Sequence, residues 1–139
     1  MYSLLGLDTN QVISDFTTYD LLNPEHKESL IQQLKDMNFD LVIGNPPYQQ
    51  ADGGAAASAK PIYQEFVTIA KEVSTTYTSI IMPARWYTGG KGLDEFRASM
   101  LTDKHIKLLY DYQRPDEVFP DTNNRGGLCF IVRDNNFDN

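Results

Sequence analysis

The sequence predicts an α/β fold with a mixed, mostly parallel sheet and an antiparallel strand near its C-terminus. Apolar runs of strand length alternate with segments in which apolar residues recur at helical spacing. This alternation implies parallel strands joined by helical crossovers. Because no helical segment separates the last two strand candidates, we expect one of them to run antiparallel. A chain of 139 residues with ordinary globular composition corresponds to a single domain, 1–139.

Asparagine, glycine and proline mark where the predicted elements begin and end. Asn23 and Pro24 start the first helix. The apolar run after that helix stops at Gly44-Asn45-Pro46-Pro47, which predicts a buried parallel strand. The small, polar residues 50–59 predict a mobile loop. The predicted order is a strand at 11–14, a helix at 24–37, a strand at 39–43, a helix at 60–74, a strand at 77–82, a helix at 93–101, and strands at 106–112 and 127–133.

Apolar spacing also predicts which side of the two later helices faces the sheet. In the helix at 60–74 the inward residues are Ile62, Phe66, Ile69, Ala70 and Val73. In the helix at 93–101 they are Leu93, Phe96, Met100 and Leu101. Between the strand at 77–82 and the later helix, Gly89-Gly90-Lys91-Gly92 predicts a flexible turn.

Composition and charge exclude several classes of protein. The one cysteine, Cys129, cannot build an internal disulfide framework or a cysteine-rich zinc site. No apolar run approaches the about 20 residues of a membrane span, and the N-terminus lacks signal-peptide features. We therefore expect a cytoplasmic protein that contacts no membrane. The net charge of −7 is unusual for a self-sufficient nucleic-acid binder. Five basic and three acidic residues at 85–107 permit phosphate contact, but they fit a solvated helix face equally well.

The residues with the clearest chemical meaning are Asn45-Pro46-Pro47-Tyr48, directly after an apolar strand. Open parallel sheets bind ligands beyond the carboxyl ends of their strands. The prolines remove two N–H donors, so nearby carbonyls stay available as acceptors. The Asn45 side chain and the Pro46 carbonyl can accept both hydrogens of a planar NH₂ group, which directs its lone pair outward. Tyr48 offers an aromatic face for stacking. The alternative is a proline-stiffened strand end.

The run F-D-L-V-I-G-N-P-P-Y-Q resembles the catalytic motif of S-adenosylmethionine-dependent amino methyltransferases. It is most similar to that of the adenine-N6 DNA methyltransferases of type II restriction–modification systems. Three further segments resemble that family in the expected order: Val12 to Phe16, Ile80 to Trp86 with the following glycine turn, and Val118-Phe119-Pro120. The resemblance implies a partial Rossmann-like methyltransferase fold.

The resemblance also implies a role for each matching residue. Asn45 and the Pro46 carbonyl would bind the adenine N6 amino group, with Pro47 stiffening the motif. Tyr48 and Phe119 would sandwich an adenine extruded from DNA, since N6 is otherwise held within the duplex. Methyl transfer would then be direct and need no metal, with rate gained from positioning. The remaining implied contacts are Asp15, Phe16 and Asn45 to S-adenosylmethionine, and Arg85, Trp86 and Lys91 to the DNA substrate.

Each of these implied roles has a simpler alternative. Asp15 is equally a turn or helix cap, and Asp20 competes with it for the cofactor role. Phe119 is equally a core residue, and Arg85 and Trp86 are equally a packed pair at a strand end. Lys91 is equally an exposed lysine in a turn.

Several features of the family have no counterpart in this sequence. We find no aromatic-x-Gly-x-Gly turn before Asp15, no acidic residue for the cofactor ribose, and no target-recognition domain. The chain thus resembles the C-terminal part of a catalytic domain, and we expect it to bind S-adenosylmethionine weakly or not at all alone. In the family the first strand lies beside the strand that ends in the motif. We therefore expect an unpaired edge at 39–44, covered by a homodimer contact or by a rearranged N-terminal segment.

Two other functions fit the same residues. The motif can present any planar NH₂ group, so RNA bases and protein glutamine are alternative substrates of a methyltransferase fragment. The acidic charge and the missing glycine turn instead favour a non-catalytic module that binds nucleic acid, or that assembles with a partner polypeptide carrying the cofactor half.

Overall fold

The computed structural model describes residues 17–50, 60–120 and 126–138. Within these ranges the chain forms three α-helices and four β-strands, and short 3₁₀ turns lie between them. In chain order the elements are α1 (Pro24–Asp36), β1 (Leu41–Gly44), α2 (Tyr63–Val73), β2 (Tyr77–Pro83), α3 (Asp94–Leu101), β3 (Ile106–Tyr112) and β4 (Leu128–Asp134). Each matches a predicted element. The strand predicted at 11–14 and the loop residues 51–59 lie outside the described residues.

The four strands form one mixed sheet with the order β1-β2-β4-β3. β1 pairs in parallel with β2, and β4 pairs antiparallel with both β2 and β3. β1, β2 and β3 therefore share one direction, and β4 alone among the described strands opposes it. This confirms the predicted α/β fold class with an antiparallel C-terminal strand. The physical reason is the one the sequence offered, since the described residues between β3 and β4 contain no α-helix and only a short 3₁₀ turn at Pro115–Glu117.

The start of α1 follows local capping chemistry. The side chain of Asn23 accepts a hydrogen bond from the backbone N–H of Glu25 at 3.0 Å, and Pro24 occupies the first helical turn, as predicted. α2 begins three residues later than predicted. The difference arises because the backbone around Lys60 and Pro61 pairs with the segment at Gln49 and Gln50 instead of entering the helix.

The helices pack on one face of the sheet and form the core there. All five residues predicted to face inward from the helix at 60–74 are buried. Leu93, Phe96 and Met100 are buried too, but the prediction for Leu101 was wrong, since 62% of its surface is exposed. Leu101 is the last residue of α3 and lies about 100° around the helix from Met100.

The prediction that β1 is a buried strand was also wrong for the described residues. Val42 packs against the core, but Leu41 and Ile43 are 51% and 74% exposed. They point to the opposite face of the sheet, since side chains alternate along a strand. β1 is one of the two outer strands of the described sheet, as expected for residues 39–44. In the described part of the molecule β1 is therefore open along its outer edge and on one face, and β3, the other outer strand, exposes apolar side chains as well.

Candidate functional site

The carboxyl ends of three strands lie at the same end of the sheet, which we call its carboxyl edge. β1, β2 and β3 run in the same direction, so the segments that follow Gly44, Pro83 and Tyr112 all leave from this edge. β4 starts there as well, because Leu128 pairs with both Pro83 and Tyr112. Ligands of open α/β sheets bind at such an edge. The fold thus brings to one edge three segments that the sequence analysis selected separately, namely the Asn45 motif, the segment with Arg85 and the segment with Phe119.

The Asn45-Pro46-Pro47-Tyr48 motif follows β1 directly. Gly44 pairs with Ile80, three residues before β2 ends, so the motif runs alongside the last part of β2. Asn45 is exposed, whereas the two prolines are half-buried. The amide of Asn45 is therefore accessible at the edge, and neither proline carries an N–H that could occupy a neighbouring carbonyl. This arrangement can accept hydrogen bonds from an NH₂ group.

Tyr48 is anchored from both its backbone and its side chain. Its carbonyl accepts a hydrogen bond from the backbone N–H of Ile62 at 3.2 Å, which ties the motif to the start of α2. Its ring packs against the core and its hydroxyl is buried. Burial raises the pKa of Tyr48, with a smaller contribution from Cys129, so the hydroxyl is protonated near neutral pH. Only the half-buried ring remains for stacking.

An apolar cavity of about 350 Å³ adjoins the motif. The chain from Gly44 to Pro47 forms one wall, and apolar side chains of α1, α2 and β1 form the others. The cavity lies beside the open edge strand, and Ile43 also lines it. Its apolar lining suits an apolar side chain or the face of a flat ring better than a charged group.

Arg85 and Trp86, in the segment after β2, differ in solvent exposure. Arg85 is exposed, but Trp86 is only 3% exposed. The indole N–H of Trp86 donates to Sγ of Cys129 at 3.4 Å, and its ring makes an edge contact with Phe96. This burial favours the packing alternative for Trp86. Direct substrate contact by Arg85 stays a prediction.

The glycine turn predicted after this segment has positive φ at four successive residues. Gly89, Gly90 and Gly92 have φ values of 70°, 77° and 82°, and Lys91 has a φ of 50°. The carboxylate of Asp94 accepts a hydrogen bond from the N–H of Gly90 at 2.9 Å and so fixes the start of α3. The turn leaves Lys91 exposed, where its ammonium is available to an anion.

Of the other predicted site residues, the structure describes only Phe119. Phe119 is half-buried after β3, and its N–H donates to the carbonyl of Pro115 at 2.9 Å. β3 is two strands further from β1 than β2 is. Asp15 and Phe16 lie outside the described residues, so their predicted contact with S-adenosylmethionine stays a prediction.

Spacing alone did not select three residues that the structure brings to this edge. Tyr63 and Cys129 are buried in the same core cluster as Trp86, and the half-buried Tyr87 packs against this cluster as Tyr48 does. Tyr63 does carry a sequence signal, because Val67 and Ala70 follow it on one helical face. That signal marks it as a core residue and says nothing about its hydroxyl.

The fold and this edge define an open α/β domain with accessible hydrogen-bond acceptors at the carboxyl ends of its strands. The sequence profile of the Eco57I restriction-modification methylase family matches residues 7–119. The chain therefore belongs to this family of enzymes.

One curated relative gives a second comparison. The chain is 30% identical over 134 residues to a Mycoplasma pneumoniae protein called an uncharacterized adenine-specific methylase. The match covers 92% of this chain and 32% of that protein, so the chain spans about a third of the relative's length. In the described ranges, no helix is long and apolar enough to cross a membrane.

Proposed function

We propose that this chain forms the substrate side of an enzyme that transfers a methyl group from S-adenosylmethionine to N6 of adenine in DNA. The observation that carries the proposal is the position of Asn45-Pro46-Pro47-Tyr48 at the carboxyl end of β1, on the edge from which the segments with Arg85 and Phe119 also leave. Membership of a methylase family supports methyl transfer. The adenine-specific name of the relative supports adenine as the acceptor.

The exposed amide of Asn45 and the carbonyl of Pro46 would accept the two N6 hydrogens. Holding both hydrogens draws the nitrogen out of conjugation with the ring and turns its lone pair outward, which makes it a better nucleophile. The rings of Tyr48 and Phe119 would support the extruded base. The exposed cations Arg85 and Lys91 would contact phosphates beside the base.

When bound, S-adenosylmethionine supplies the methyl group on its sulfonium. Of the residues proposed to contact it, Asn45 lies at the described edge, and Asp15 and Phe16 precede the described residues. Because the sequence given has no aromatic-x-Gly-x-Gly turn, we propose that residues 1–139 are one partial catalytic domain. On this proposal the chain alone binds the cofactor weakly.

We further propose that a second polypeptide, or a second copy of the chain, completes the sheet at β1. The open edge strand, the exposed Leu41 and Ile43 and the neighbouring apolar cavity support this contact. An added strand would satisfy the outer backbone groups of β1 and cover these side chains.

The acceptor site can be tested without methyl transfer. Short oligonucleotides that contain one adenine, or one purine that lacks the 6-amino group, are titrated against the chain. We expect the oligonucleotide with adenine to bind about tenfold more tightly, because two hydrogen bonds to fixed acceptors have about this effect. Asn45→Ala should abolish this preference, and Asn136→Ala, an exposed asparagine at the opposite edge, should leave it unchanged. Equal binding of the two oligonucleotides by the unmodified chain would overturn the proposal.

Cofactor binding is tested by calorimetry with S-adenosylmethionine, with and without the adenine oligonucleotide. We expect weak binding or none in both titrations. A tight, stoichiometric complex with the chain alone would contradict the proposed partial site, and would lead directly to methyl-transfer assays on DNA, RNA and glutamine peptides.

A further inference from the structure

Three tyrosines that belong to one core cluster have buried hydroxyls. They are Tyr48 in the Asn45–Tyr48 motif, Tyr63 at the start of α2, and Tyr87 after β2. By distance and angle, none of the three hydroxyls makes a hydrogen bond within the described part of the chain. Since folded proteins leave only a few buried polar groups unsatisfied per hundred residues, three at one place require a physical explanation.

Cys129 is fully buried in the same core cluster as these tyrosines. The indole N–H of Trp86 donates to its Sγ at 3.4 Å, and the Trp86 ring contacts the ring of Tyr87 with 4.7 Å between centroids. Burial raises the pKa of Tyr87, and Cys129 and Asp111, which pair across the sheet, add to the rise. We call Tyr48, Tyr63, Tyr87 and Cys129 the tyrosine cluster. It joins the loops after β1 and β2 to α2 and β4.

All four members of the tyrosine cluster are neutral near pH 7. Burial raises the pKa of each hydroxyl, and it raises the pKa of the Cys129 thiol as well. Each hydroxyl can thus donate one hydrogen bond and accept others. A buried water needs two to four polar partners of this kind. The cluster suits neutral water and offers no charge that would hold an ion.

We propose that Tyr63, Tyr87 and Cys129 are positioning residues that hold the Tyr48 hydroxyl in a buried hydrogen-bond network completed by ordered water. The network fixes the orientation of the Tyr48 ring at the edge of the sheet. The importance of that orientation for base stacking rests on the proposed function, whereas the network itself does not depend on it. A displacement of the Tyr48 ring would therefore disturb contacts with α2, with the segment after β2 and with β4.

The test uses the full chain and the substitutions Tyr63→Phe and Tyr87→Phe. Both remove one hydroxyl and keep the ring. The matched control is Tyr77→Phe, because Tyr77 is exposed and lies at the opposite end of β2. NMR measures the ring-flip rate of Tyr48, the exchange of the tyrosine hydroxyl protons, and their proximity to water.

We expect slowly exchanging hydroxyl protons in contact with water, and a several-fold faster Tyr48 ring flip in both cluster variants but not in the control. A cycle of Tyr48→Phe and Tyr87→Phe should show coupling of about threefold or more in the unfolding equilibrium. Phe variants that are more stable than the parent, with an unchanged Tyr48 ring-flip rate, would overturn the network. A failed adenine preference with an intact network would overturn only the proposed function.

Discussion

The indole N–H of Trp86 donates to Sγ of Cys129 at 3.4 Å, and this bond joins the segment after β2 to the second residue of β4. Both side chains are buried. This hydrogen bond connects two segments at the end of the sheet where the Asn45 motif lies. The resemblance implied a DNA contact for Trp86, but its side chain is buried. The neighbouring Arg85 carries the exposed charge.

Cys129 should be unreactive in the native chain. Burial raises the pKa of its thiol, and this outweighs the opposing influence of the Trp86 indole N–H and the Tyr87 hydroxyl, so little thiolate is present near neutral pH. We expect an aromatic disulfide reagent to modify the thiol only as fast as the chain unfolds. The same reaction in denaturant provides the fully reactive reference. Equal rates with and without denaturant would contradict the buried position.

Asp103→Asn should destabilise the chain markedly. Its carboxylate accepts from Lys71 Nζ at 2.6 Å and from Arg133 Nε at 2.9 Å, and only 6% of its side chain is exposed. The substitution leaves two largely buried cations without their anion, which we expect to cost roughly 2–3 kcal/mol in unfolding free energy. Asp116→Asn is the control, because its pair with Arg114 is exposed and should contribute nothing measurable. Urea titrations of the parent and of both variants measure the two changes in unfolding free energy.

The same carboxylate makes stability depend on acid pH. Burial opposes its charged form, but Lys71 and then His105 and Arg133 outweigh burial and lower the pKa of Asp103 below its ordinary value of 3.8. The stabilisation is complete above that ordinary value and is lost as the pH falls through the lower native pKa. The difference in unfolding free energy between parent and Asp103→Asn should therefore shrink below about pH 4. A difference that is constant with pH would exclude this linkage.

Gly127→Ala should be more damaging than Gly126→Ala. Both glycines have positive φ, at 81° and 105°, so both substitutions strain the backbone. Only at Gly127 would the new Cβ meet another backbone atom, the Tyr112 carbonyl at 2.9 Å. We expect a loss of roughly 2–4 kcal/mol at Gly127 and about 1 kcal/mol at Gly126. Equal losses in thermal or urea unfolding would show that the contact with Tyr112 is not limiting.

Ile43→Lys should prevent association through β1 without unfolding the chain. Ile43 is 74% exposed, so the substitution should change the unfolding free energy by less than about 0.5 kcal/mol. A lysine on an edge strand opposes strand pairing with a second chain. We expect sedimentation to give a dimer for the parent and a monomer for this variant. Leu108→Lys, on the same face but on β3 at the other side of the sheet, should remain dimeric. A parent chain that is monomeric at every concentration would contradict the homodimer.

Local signals predicted the elements well, because each depends on neighbours in sequence. The cap at Asn23, the inward residues of α2 and the span 106–112 of β3 were all read from spacing and turn residues. The start of α2 was missed because Lys60 and Pro61 pair with residues before the loop. Leu101 was misplaced because an apolar residue at a helix end does not by itself reveal which side faces the core.

The sequence by itself determined the order of the elements, the antiparallel last strand and the position of Asn45-Pro46-Pro47-Tyr48 at a strand end. These follow from periodicity and from backbone restrictions that act over a few residues. Only the tertiary structure decided that Trp86 is buried, that Ile43 is exposed, and that three tyrosines with buried hydroxyls share one core cluster with Cys129. Such facts depend on which strands become neighbours, and chain segments as distant as Tyr48 and Cys129 meet only when the sheet has formed.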